Sequence, residues 1–61
     1  MNDAQRFLNM HGCIVKDENG VHLADLFEDG GQIVVSRTPS CSAGDYFYIL
    51  GYIRDLGFDV R

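Results

Sequence analysis

The sequence predicts a two-layer α+β domain in the order helix, strand, strand, strand, helix, with a three-stranded antiparallel meander and both helices on one of its faces. Three observations predict it. From Ser42 to Leu56 the apolar residues Tyr46, Ile49, Leu50, Ile53 and Leu56 recur at helical spacing, between a Ser42/Asp45 capping box and Gly57 as the stop. Gln32–Arg37 is β-branched through its centre, as a strand buried on one side requires. The turn-forming runs Asp17-Glu18-Asn19-Gly20 and Asp29-Gly30-Gly31 bracket a segment of hairpin length between them.

The remaining elements follow in order. Asn2 with Gln5 three residues on starts a first helix, in which Ala4, Phe7, Leu8 and His11 share a face until Gly12 ends the run. So short a helix is unstable alone, so Phe7 and Leu8 must dock on something. Cys13–Lys16 reads as a strand, and Asp17-Glu18-Asn19-Gly20 closes it with the Asn-Gly pair that favours a tight hairpin. Val21–Phe27 is then the second strand, although Leu23, Leu26 and Phe27 also fit a helical face. Thr38-Pro39 ends the third, because proline lacks the N–H that a ladder needs. Phe58–Arg61 leaves the last helix in extended form. A period of two cannot place Ile14, Leu23, Leu26, Ile33, Val34 and Val35 on one sheet face, so aliphatic surface is expected on the open face.

Length bounds the chain to one domain, residues 1–61, and its 46% hydrophobic and 23% charged content is that of a folded domain. No apolar run approaches the roughly 18 residues of a bilayer span, and the start Met-Asn-Asp-Ala-Gln-Arg is polar, so a soluble, cytoplasmic protein is expected. Cys13 and Cys41 are then expected to be free thiols. Neither a metal nor a cofactor is expected: among Cys13, Cys41, His11 and His22 the only close pair, His11 and Cys13, is too tightly spaced to chelate.

Charge and aromatic placement carry the functional reading. Nine Asp and Glu against five scattered Lys and Arg give a net charge of -4, which disfavours direct binding of nucleic acid and suits a basic protein partner. Tyr48 and Tyr52 lie one turn apart off the core stripe of the last helix, with Asp45 and Asp55 beside them and Phe47 as a third aromatic. Asp17 and Glu18 at one hairpin and Glu28 and Asp29 at the other extend the array of carboxylates. These eight residues, Asp45, Tyr48, Tyr52, Asp55, Asp17, Glu18, Glu28 and Asp29, are the expected partner-binding set, on a monomer or weak homodimer.

Two resemblances follow from these residues. The element order, with Gly20-Val21-His22 opening the second strand, resembles the HicA-type toxins, small RNA-cleaving proteins with a double-stranded-RNA-binding-like fold whose corresponding motif is Gly-Ser-His. That resemblance implies an mRNA interferase with His22 as the acid or base, or an inactive relative of one; here Val21 stands in the serine position, and no second acid or base lies at a readable spacing from His22. The small, acidic, aromatic-faced chain also resembles, at the level of a class, phage-encoded anti-CRISPR proteins and other nucleic-acid mimics. This implies a non-enzymatic inhibitor in a bacterial host cell, presenting carboxylates to the Lys and Arg of a CRISPR effector subunit where the effector would hold DNA phosphates.

Overall fold

A computed structural model describes residues 2–61; Met1, which opens the polar start, lies outside the described residues. The chain forms helix α1 (Asp3–His11), strands β1 (Ile14–Lys16), β2 (His22–Asp29) and β3 (Gln32–Arg37), and helix α2 (Ala43–Asp55). The strands are an antiparallel meander in the order β1-β2-β3. The α+β fold expected from the sequence is the fold observed.

Both helices start as their caps dictate. The Asn2 side chain accepts the Gln5 N–H at 2.8 Å, and Gly12 closes α1 with its N–H on the Leu8 carbonyl. At α2 the Ser42 and Asp45 side chains each accept the other's backbone N–H, completing the capping box. Ala4 and Leu8 of α1, Ile49 and Ile53 of α2, and Ala24, Leu26, Ile33 and Val35 of the sheet make one buried cluster, which places both helices on the same face. Leu56, assigned above to the core stripe, is instead about half exposed at 49%: the helix stops at Asp55, and Leu56 is the cap residue beyond it.

The two hairpins differ in kind. Gly30 and Gly31 both have positive φ and join the Asp29/Gln32 pair, the two-residue turn whose twist matches the strands. The first hairpin turns at Asp17–Gly20 as expected, but not with two central residues of positive φ. Asn19 does not have positive φ; the turn runs from the Asp17 carbonyl to the Gly20 N–H at 3.0 Å, and Gly20 alone takes the left-handed conformation. The Asp17 carboxylate, which accepts the N–H groups of Asn19 and Val21 at 2.8 and 2.9 Å, selects this wider loop.

Beside that hairpin the β1/β2 register slips. Val15 pairs with Ala24 but Lys16 pairs with His22, so Leu23 is an extra residue bulged out of the ladder. Leu23 and Ala24 are both buried in consequence, and His22 is turned to the open face of the sheet. On that face Phe27 sits directly across from Val34, with Ile14 on the neighbouring strand, and Phe27 and Ile14 are exposed. The aliphatic surface expected there is present.

Residues 58–61 do more than leave α2 extended. They lie parallel against β3, with Ile33 N–H on the Asp59 carbonyl at 2.9 Å, Arg61 N–H on the Ile33 carbonyl at 3.0 Å and Val35 N–H on the Arg61 carbonyl at 2.9 Å. Phe58 packs its ring 5.0 Å from that of Phe7. The closing segment therefore covers the β3 edge that the meander leaves unpaired.

Candidate functional site

The inner side of α2 is fixed by Ile49 and Ile53 in the core and by half-buried Tyr46 and Leu50. Arg37 clamps its first turn, with its guanidinium 5.3 Å from the centre of the Tyr46 ring and one N–H donated to the Cys41 carbonyl at 2.9 Å. With that side anchored, the helical period turns Phe47, Tyr48 and Tyr52 outward, and they are 68%, 76% and 58% exposed. Three large aromatic side chains on one helix, each more than half in solvent, are far more than its packing needs.

These rings shape two depressions. A shallow notch of about 270 Å³ on the outer face is lined by Phe47, Tyr48, Gly51, Tyr52 and Asp55. On the other side of the Tyr48/Tyr52 ridge, a cleft of about 370 Å³ runs between the two helices over β1, with Phe7, Ile14, Val15, Ile49 and Ile53 among its walls. The ridge thus presents one flank to an apolar cleft and the other to a notch with a carboxylate at its end. Among the described residues the Asp55 carboxylate has no hydrogen-bond or ion-pair partner.

The expected array of acids separates by what each carboxylate already does. Asp17 organises the first hairpin from within, and Asp45 caps α2. Glu28 accepts the Gly31 N–H at 2.8 Å and the Asn2 amide at 3.3 Å, tying the start of α1 to the second hairpin. The Gly31 N–H first, and the Asn2 amide second, hold its carboxyl below the ordinary carboxylate range. Asp29 is ion-paired with Arg61. Glu18, in the first turn, is exposed and without a partner among the described residues, as Asp55 is. The structure brings Tyr48, Tyr52 and Asp55 together, places Asp45 at the start of the same helix, and leaves Asp17 and Glu18 at one end of the sheet with Glu28 and Asp29 at the other.

His22 has a neighbour that spacing in the sequence hides. Its Nε2 lies 2.9 Å from Asp25 Oδ1, both side chains being a little under half exposed on the open sheet face. In a regular strand residues three apart face opposite ways; the Leu23 bulge removes that alternation and brings them together. The expectation of no acid or base near His22 is corrected accordingly. Lys16 is its cross-strand pair. Cys13 is exposed and Cys41 buried, both free, and among the described residues no three His, Cys, Asp or Glu side chains converge. No helix among the described residues is long and apolar enough to cross a membrane.

Comparison with known families, with curated proteins and with solved structures finds no match to this chain.

Proposed function

We propose that this protein is a small acidic inhibitor that docks the outer face of α2 on the basic surface of a nucleic-acid-handling protein, most concretely as an anti-CRISPR protein that keeps an effector complex from its target DNA. The observation that carries the reading is the outward Tyr48/Tyr52 ridge with the unpartnered Asp55 carboxylate beside it. Tyrosine joins a large apolar area to a hydroxyl that an interface can hydrogen-bond, and such residues dominate binding energy when a partner desolvates them. The net charge of -4 supplies the long-range attraction to lysines and arginines that line a nucleic-acid channel. Asp17, Glu28, Asp29 and Asp45, held by internal hydrogen bonds and ion pairs, contribute to that field as fixed charges. The direct contacts fall to Tyr48, Tyr52 and Asp55.

The test is capture of effector subunits by immobilised wild-type protein and by the Tyr48→Ala/Asp55→Ala double variant. The reading predicts capture that weakens with rising salt and is lost in the variant. Equal capture by both proteins would remove the α2 face from the account.

A second reading is favoured by the His22–Asp25 contact. A carboxylate 2.9 Å from Nε2 orients an imidazole and leaves Nδ1 to act as base or acid, so a HicA-like ribonuclease would use His22 with Asp25 as its positioning residue. RNA cleavage by the wild type and not by His22→Ala would put this reading first; no cleavage by the wild type would end it.

A further inference from the structure

We infer that the notch on the outer face of α2 receives a single arginine side chain of the partner; the inference rests on the binding role proposed for that helix. Phe47, Gly51 and Asp55 follow one another at intervals of four residues, so Gly51 lies about 6 Å along the axis from each of the others. Tyr48 and Tyr52 form the side wall. A group lying over Gly51 therefore meets aromatic rings on one side and a carboxylate on the other. Planar guanidinium matches both at once: its face stacks on rings while its edge donates paired hydrogen bonds to a carboxylate. A lysine ammonium, compact and strongly hydrated, satisfies only the charge.

Three further facts point the same way. Glycine in a helix interior is unfavourable relative to alanine, and at Gly51 no packing demands it, since among the described residues nothing beyond the adjoining helix backbone lies within 4 Å of where its Cβ would stand. Its effect on this surface is to keep the floor of the notch open. The protein's own Arg37 rests against Tyr46, whose ring lies 5.8 Å from that of Phe47 at the end of the notch, the kind of pairing that the notch offers to a partner. Arg54, the nearest cation in sequence, is not among the residues lining the notch, and Asp55 forms no ion pair with it.

The experiment is titration of the isotope-labelled protein with blocked tri-arginine and tri-lysine peptides at low salt, followed by backbone amide chemical shifts. Tri-arginine should shift Gly51, Tyr52 and Asp55 saturably and bind about fivefold more tightly than tri-lysine, the preference that ring stacking at an exposed site supplies. Asp55→Asn should weaken tri-arginine about threefold, as loss of an exposed charge pair does. Gly51→Leu, which fills the notch with a better helix former, should abolish the preference for arginine. Equal affinity for the two peptides, or an unchanged preference in Gly51→Leu, would overturn the inference. An arginine-selective notch on a protein that captures no effector would overturn only the inhibitor reading; effector capture unaffected by Gly51→Leu would overturn only the notch.

Discussion

Replacing Gly51 by alanine should make the protein more stable and a poorer binder. Gly51 sits inside α2, does not have positive φ, and among the described residues no atom beyond its chain neighbours and the adjoining helix backbone lies within 4 Å of the position a Cβ would occupy, so the added methyl group meets neither strain nor a clash. The gain is then the intrinsic difference between the two residues in a helix, about 0.5 to 1 kcal/mol. For a domain of this size each kcal/mol moves the melting temperature by about 4–8 °C, so a rise of about 2–8 °C is expected. Thermal unfolding followed by circular dichroism, with urea midpoints as a second probe, measures it. Gly30→Ala is the contrasting control: at φ +59 in the second hairpin it should lose about 1 kcal/mol or more, because a Cβ is unfavourable there. A Gly51→Ala protein no more stable than the wild type would refute the reasoning that this glycine is free of structural demands. Reduced binding of tri-arginine by the same variant would complete the trade of stability against function.

Three other perturbations test the fold. Ile33, fully buried in the core and bridged to the closing segment, should on truncation to alanine lose about 2–5 kcal/mol, enough to unfold most of a domain this small at 37 °C. Phe58→Ala should cost about 2 kcal/mol by removing a half-buried ring from Phe7, and amide exchange at Ile33 and Val35 should rise with it as the closing segment loosens. Glu28 carries a pH signature. Its folded pKa lies below the ordinary 4.5, so its contribution is present above that pH and is lost as pH falls through the folded value. The wild type should therefore exceed Glu28→Gln in urea midpoint at pH 7, and the difference should shrink below pH 4.5; a constant difference across that range would mean the carboxylate is not what holds Gly31 and Asn2.

Most of the architecture was legible because its signals are local. The caps at Asn2 and Ser42 and the β-branched centre of β3 each act within a few residues, and each led to the element observed. What the sequence could not disclose is non-local. The closing segment pairs with β3 through Ile33 and Val60, 27 residues apart, which no periodicity reports. The Leu23 bulge exists because the Asp17 loop and the Thr38 hydrogen bonds to His22 and Leu23 set the register from both sides, and only that bulge lets His22 meet Asp25. At the candidate site the exposed tyrosines were legible from helical period alone. The division of the carboxylates was not: whether Asp29 faces solvent or Arg61 depends on where residues 58–61 lie against the sheet. Gly51 was a readable signal, a glycine without turn or cap in mid-helix, whose meaning emerged once Phe47 and Asp55 were seen on either side of it.

Hydrogen–deuterium exchange of the protein alone and bound to a captured CRISPR effector subunit tests whether the outer face of α2 is the working surface. Exchange should slow only across residues 46–56, with the open sheet face around Phe27 and His22 unchanged. Protection of β1 and β2 with α2 unaffected would contradict it and move the working surface to the other side of the molecule.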